Sequence, residues 1–384
     1  METLLQNLLR DLVAIDSVNP SLAPGARGEA EAAHFLRDWL AKHGVEAELQ
    51  EASGDETISR PNVIARLGPE SGRAALLMVA HIDTVGAGHM PEPFTPRERD
   101  GRLYGRGALD IKSGVAAMCA AAARLAQQKT KLSEPLVIAA VVDEECNSIG
   151  TQALVKRVAA EAAVVMEPTD LRLCIAHKGY AWLEVTTRGR AAHGSLPEEG
   201  RDAIAHMGRV LAQLEVFDAG LAVSTPHPLL GRASVHASLI SGGHELSSYP
   251  AECRLQVERR TLPGESDAQV ECELRSLIAS LARADRDFRS EVKLLASRQP
   301  YEIASTAPIA TAAAAALRQV TGSPEICGMS FWTDTALLAE AGIPGVVFGP
   351  RGRGLHGADE YVELGSAATC AEVLHRLALA TCCR

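Results

Sequence analysis

Short apolar runs recur along the chain between stretches of helical periodicity. NVIARL (62–67), AALLMVA (74–80), PLVIAAVV (135–142), AAVVM (162–166) and PGVVFG (344–349) are apolar almost throughout and bounded by Gly, Pro or charge. They read as strands buried on both faces. Between them SGVAAMCAAAARLAQQ (113–128) is small and apolar over several turns, as a helix packed on a sheet should be. The N-terminal METLLQNLLRDLVAIDSVNP is amphipathic, with acids at Glu2, Asp11 and Asp16. It predicts the first helix of the fold rather than a signal peptide. This alternation predicts an α/β catalytic domain with a mainly parallel sheet flanked by helices.

The pattern changes after about residue 179. AWLEVTTRG (181–189) alternates with period two, RDAIAHMGRVLAQLEVF (201–217) is helical, and RASVHASLI (232–240) and ECRLQVERR (252–260) alternate again. SDAQVECELRSLIASLARA (266–284) is a second helix, and RSEVKLLA (289–296) a last strand. The order βαββαβ describes an α+β two-layer unit with its helices on one face. TAPIATAAAAALRQV (306–320) then resumes the first style. The expected organisation is one domain of residues 1–178 and 297–384 with a second, 179–296, inserted in it.

A length of 384 residues suits two domains. The longest apolar runs fall well short of the roughly 18 residues a membrane span needs, so no membrane association is expected. A net charge of −10 without clustered Lys and Arg argues against a nucleic-acid binder and leaves small molecules as partners. Nine cysteines, scattered and without a C-x-x-C pair, suggest neither a disulfide framework nor a thiolate zinc site. A reducing cytoplasm fits them best, with Cys382 and Cys383 as a surface pair.

In an open α/β sheet, ligands bind beyond the carboxyl ends of the strands. There AALLMVA is followed by His81 and Asp83, PLVIAAVVD by Glu144 and Glu145, AAVVM by Glu167, and PGVVFGPRGRGL by His356, while GRLYGRGALDIKSG places Asp110 before the small-residue helix. Each residue alone has an ordinary reading as a cap or a solvated loop position. Four or five carboxylates in one crevice repel one another unless protonated or bound to cations. Imidazole and carboxylate without thiolate suit a catalytic zinc site, with cobalt or manganese as alternatives. His81 and Asp83 share a face of extended chain, so Asp83 can accept the imidazole N–H and fix which nitrogen faces the metal. Glu144 and Glu145 are adjacent and point apart. One can ligate while the other acts as base for a bound water.

HIDTV, GRLYGRGALDIKSG, VVDEECNSIG, VMEPTD, AHGSLPEEGRDAI and GPRGRGLHGADEYVEL, in this order, resemble the successive motifs of the dinuclear zinc hydrolases that include acetylornithine deacetylase, succinyl-diaminopimelate desuccinylase, aminoacylase and glutamate carboxypeptidase. The resemblance runs from about residue 5 to 380. It implies that His81, Asp110 and Glu167 hold one metal and Asp110, Glu145 and His356 the other, with Asp110 bridging. Glu144 is then the general base and acid, and Asp83 supports His81; Asp143 receives no role. The inserted unit resembles the family's lid and dimerisation domain, so a homodimer is implied. There His193 matches a histidine that reaches into the partner's site to stabilise an oxyanion, and Arg260 an arginine that grips the substrate carboxylate. Arg259 beside it is expected to be solvated.

Ser247 stands where the family usually has asparagine, which puts inherited substrate contacts in doubt. His244 in the same loop is either a pocket residue or solvated. Gly349, Gly354 and GMSFWTDTALL (328–338) are expected to shape the pocket floor, with Trp332 either stacking on substrate or filling the core. The implied activity is hydrolysis of the amide of an N-acyl amino acid or small peptide with a free carboxylate. A dipeptidase or carboxypeptidase of the same family is the alternative, and a non-catalytic binding protein of the same fold is a third reading. The complete set of expected ligands together with the base speaks against the third.

Overall fold

The expected buried runs form the middle of one mixed sheet. In the computed structural model, which describes residues 1–53, 58–70 and 72–383, its strands lie in the order Ala47–Glu51, Pro61–Leu67, Leu136–Val141, Leu76–His81, Ala163–Val165, Gly345–Val347, Leu173–His177 and Tyr301–Glu302, with Ile326–Met329, off that order, also paired to Leu173–His177. The four from Leu136–Val141 to Gly345–Val347 run parallel, and the flanking pairings are antiparallel. Parallel character is thus confined to the strands that carry the continuous apolar runs, as burial on both faces requires.

On one face Leu77, Val79, Val137, Ala139 and Val165 pack with Leu154 and Leu338, brought by the short helices Ile149–Leu154 and Thr335–Glu340. The helix Ser113–Gln127, buried over most of its length, packs on Leu76–His81. Glu2–Ala14 is helical as its amphipathic pattern predicts, with Leu5, Leu8, Leu9 and Leu12 buried. No helix among the described residues is long and apolar enough to cross a membrane.

A second, smaller sheet joins Gly352–Arg353, Tyr361–Glu363, Arg102–Tyr104 and Arg97–Arg99. Strands of two or three residues are too short for alternation to reveal them. They hold the two loops that carry Asp110 and His356.

The chain divides into two units, Met1–Ile175 with Ile303–Cys327 and Thr333–Arg384, and Ala176–Glu302 with Gly328–Trp332. Residues 328–332, expected with the first domain, group with the second, where the Lys178 amide donates to the Met329 carbonyl. The second unit has the order strand Gly179–Arg188, helix Ala203–Ala222, strands Ser234–Gly242 and Glu252–Thr261, helix Asp267–Ala284 and strand Arg289–Arg298. Its antiparallel sheet places Gly179–Arg188 between Glu252–Thr261 and Arg289–Arg298. Leu183, Val185, Leu255 and Val257 meet Met207, Val210, Leu274 and Ile278 of the helices. Both helices start on a side-chain cap, Asp202 accepting from the Ala205 amide and Ser266 from that of Gln269.

The cysteines depart from expectation in two ways. Cys174 and Cys327, on adjacent strands with Cα atoms 4.6 Å apart, form a disulfide. Of the expected surface pair, Cys382 is buried in the final helix and Cys383 is exposed. Long sequence separation hid the first pairing, and helical rotation separates the second pair.

Candidate metal centre

Three parallel strands in register end at one edge of the sheet. His81 is the last residue of Leu76–His81 and lies opposite Val141; Glu144, Glu145 and Glu167 follow the neighbouring strand ends. His81 Nε2 stands 3.3 Å from Asp110 Oδ1 and 3.9 Å from Glu167 Oε1. His356 Nε2 stands 3.2 Å from Asp110 Oδ2 and 3.3 Å from Glu145 Oε1. Asp110 therefore turns one oxygen to each imidazole. Ligand atoms of His81, Asp110 and Glu145 lie within 4.8 Å of one another, and so do those of His81, Glu144 and Glu167. Glu144 thus shares the cluster with the five residues expected to ligate.

The electrostatics follow from this crowding. Burial, reinforced by the Glu167 charge, pushes the Glu144 carboxyl well above the ordinary range. Burial likewise raises Glu167 against the pull of His81. Asp110 is buried too, yet the two imidazoles hold it below the ordinary range. Its carboxylate and that of Glu145 raise His356 to about 10.

Supporting contacts reach the cluster from behind. His81 Nδ1 lies 2.9 Å from the Asp83 carbonyl oxygen, and the Asp83 carboxylate is farther away at 3.5 Å. The main-chain oxygen of Asp83 is thus the nearer partner of the imidazole, with the carboxylate of the same residue behind it. The Asp83 carboxylate instead accepts the Glu144 amide at 3.1 Å and the Glu145 amide at 3.2 Å, fixing the backbone of both. Asp143, adjacent to Glu144, has a basic partner. It is fully buried and pairs with Arg60 Nη1 at 2.8 Å, while Arg60 pairs again with Glu29. Glu360 holds the Asp110 loop, accepting from Arg106 Nη1 at 2.7 Å and from the amides of Gly107, Leu109 and Asp110 at 3.1, 2.9 and 3.2 Å. Gly354, at φ +83°, packs so closely on the Glu360 backbone that a side chain would collide with it.

The model of peptidase family M20/M25/M40 matches residues 77–380, a span that contains every residue of this cluster. The chain is a member of peptidase family M20/M25/M40. It is 32% identical to an acetylornithine deacetylase of Myxococcus xanthus over 387 aligned positions, covering 97% of this chain and 96% of that protein. Its fold matches a tripeptidase of Staphylococcus aureus with TM-score 0.82, 18% identity and coverage of 98% and 97%. A Bacillus subtilis protein described as a dinuclear metal-binding peptidase of the M20 family matches with TM-score 0.75, 18% identity and coverage of 99% and 98%.

As an M20-family metallohydrolase, the chain has in this cluster a candidate site for metal ions, and the donor set fits them. A neutral His81 whose Nδ1 donates to the Asp83 carbonyl would present its Nε2 lone pair to a cation lying among the carboxylate oxygens. Glu145 Oε1 is buried and faces the His356 imidazole alone, at 3.3 Å. Facing acceptors need protons or cations between them, and oxygen and nitrogen donors without thiolate suit divalent metals. Asp334, buried nearby in charge terms, accepts from Thr151 Oγ1 at 2.5 Å, and burial raises it to about 6.

The remaining candidates, Gly349 apart, lie in the second unit. His193 is exposed, with Nδ1 2.8 Å from Ser195 Oγ. Its loop is tied to the next, the Gly194 amide donating to the Ser247 carbonyl at 2.7 Å. Ser247 and His244 are exposed. Arg260 Nε pairs with Glu258 at 2.6 Å, and its guanidinium lies over the Tyr180 ring. Arg259, expected in solvent, is 1% exposed and pairs with Glu265 at 2.6 Å, because it shares the inward face of its strand with Leu255 and Val257. Trp332 meets the rings of His177 and Tyr180 and the guanidinium of Arg298. Gly349 lets its loop run against the Glu167 backbone, where a Cβ would collide with the carbonyl oxygen.

Proposed function

We propose that the protein hydrolyses the amide bond of a small N-acyl amino acid carrying a free carboxylate, with two divalent cations, zinc foremost, as cofactors. The observation that carries this reading is Asp110, whose two oxygens face different imidazoles at 3.3 and 3.2 Å, as a residue shared by two cations must. The full-length similarity to a deacetylase favours acylated amino acids over peptides.

His81, Asp110 and Glu167 would hold one cation, and Asp110, Glu145 and His356 the other. When bound, such a pair lowers the pKa of water and polarises the scissile carbonyl. Glu144 accepts the proton of the attacking water and returns it to the departing amine nitrogen. Asp83 holds Glu144 and Glu145 in place through their amides. Arg260 binds the substrate carboxylate with its planar fork, and Ser247 and His244 border the same substrate. His193 stabilises the oxyanion in the site of a second subunit. A homodimer is supported by the edge strand Ser234–Gly242, which exposes Leu239 and Ile240 at 65% and 55%. A cytoplasmic location is supported by the scattered cysteines without a C-x-x-C pair, of which two, Cys174 and Cys327, are joined.

A panel of N-acyl amino acids, beginning with N-acetylornithine, and of dipeptides on zinc- and cobalt-loaded protein tests the reading. Turnover of an N-acyl amino acid, lost when its carboxylate is amidated, is expected. Turnover of dipeptides alone would replace it with the peptidase alternative.

A further inference from the structure

The Asn19 side chain stands between three charged groups, none of which the reaction described above uses directly. Its Nδ2 donates to Asp83 Oδ2 at 2.8 Å and to Asp143 Oδ1 at 3.0 Å. Its Oδ1 accepts from Arg60 Nη2 at 3.0 Å and from the Ser21 amide at 2.9 Å. All of the side chains of Asn19, Asp83 and Asp143 are buried, and Arg60 is only 5% exposed. An amide flipped here would aim its oxygen at two carboxylates and its NH2 at a guanidinium, so the partners allow one orientation.

Arg60 arrives because Pro61–Leu67 runs antiparallel to Leu136–Val141, which brings its amino end to the edge where its neighbours have their carboxyl ends. Asn19 arrives through its amide, which donates to the Thr84 carbonyl at 2.9 Å. We infer that Asn19, keyed by Arg60, is a positioning residue for Glu144 and Glu145, and through Glu145 for a bound cation. The inference rests on the hydrolase reading above. The path is short: Arg60 orients the Asn19 amide, Asn19 holds the Asp83 carboxylate, and Asp83 holds the Glu144 and Glu145 amides at 3.1 and 3.2 Å. Arg60 already neutralises Asp143 and Glu29 by direct contact. What Asn19 adds is the connection from that charge to Asp83. A displacement of about 1 Å in a reacting group can lower a rate about 100-fold, so a loosened Asp83 would be read in turnover and metal affinity before it is read in substrate binding.

The test compares wild type with Asn19→Ala, Asn19→Leu and Arg60→Lys, measuring the thermal midpoint, the Kd for zinc by chelator competition, and kcat and KM on the acylated substrate. Asn19→Leu keeps the branching without the amide, and Asn19→Ala leaves both Arg60 ion pairs intact. Zinc affinity is expected to fall about 10- to 100-fold, the range for partners of metal ligands, and kcat to fall similarly with KM within threefold. Arg60→Lys, which keeps the charge without the fork, should show the same split in milder form. A lower midpoint with zinc Kd and kcat within twofold of wild type in both Asn19 variants would overturn the inference and leave Asn19 a structural role. If wild type turned over nothing in the panel, the hydrolase reading would fall, while the zinc affinities would still decide whether Asn19 positions the cluster.

Discussion

Replacing Glu360 by alanine removes the acceptor of four donors at once. The Arg106 guanidinium and the amides of Gly107, Leu109 and Asp110 all converge on its carboxylate, and Arg106 and Glu360 are each 1% exposed. Leaving a buried charge without its partner destabilises by about 3 to 5 kcal/mol. Each buried amide left unsatisfied adds about 1 to 3 kcal/mol, less whatever the loop regains by relaxing. With one such amide counted, the loss is about 5 kcal/mol, comparable to the whole stability of a marginal protein. Glu360→Gln keeps one acceptor oxygen, but it leaves the Arg106 charge unpaired and turns its NH2 toward two of the four donors, so it too should lose about 3 kcal/mol or more. Urea denaturation of the metal-free variants, followed by circular dichroism, measures both. Because the Asp110 amide is one of the four donors, Glu360→Gln should also weaken zinc binding about 10- to 100-fold. A Glu360→Ala protein within about 1 kcal/mol of wild type, or a Glu360→Gln protein with unchanged zinc affinity, would refute the reasoning.

Two further outcomes are expected. Glu144→Gln should retain its bound metal and lose about 10²- to 10⁴-fold in kcat, as read by metal analysis beside steady-state kinetics; near-normal turnover would remove Glu144 as the base. His177, buried against Tyr301 and Trp332, is held by burial at about 4 rather than 6.5. Its folded form thus prefers the neutral imidazole, and the associated stability is complete above about pH 6.5 and lost as pH falls toward 4. Between pH 7 and pH 5 wild type should lose about 2 kcal/mol more than His177→Phe, measured by urea melts at both pH values, and equal losses would contradict the assignment.

The cluster was legible in sequence because parallel strands deliver the residues that follow them to one edge, so that His81, Glu144, Glu145 and Glu167 could be found by looking after each apolar run. The supporting residues were not. Arg60 precedes its strand, and only the antiparallel pairing of Pro61–Leu67 brings it to that edge. Glu360 and Asn19 sit in loops without periodicity, placed by two- and three-residue strands and a single bridge at Val18 and Thr84. The three acids of VVDEE accordingly divide. Glu144 and Glu145 face the donor cluster, but Asp143 has a basic partner in the chain, Arg60. The burial of Arg259 could have been read from the alternation of ECRLQVERR, in which it falls in step with Cys253, Leu255 and Val257.

The central claim is that two cations on a shared Asp110 make the protein a hydrolase. Stepwise addition of zinc to metal-free protein, with bound metal and hydrolysis of the acylated substrate read at each step, tests it most directly. Two cations bound per chain, with activity absent from metal-free protein and restored as they bind, is the predicted result. Full activity in metal-free protein, or saturation of binding below one cation per chain, would contradict it.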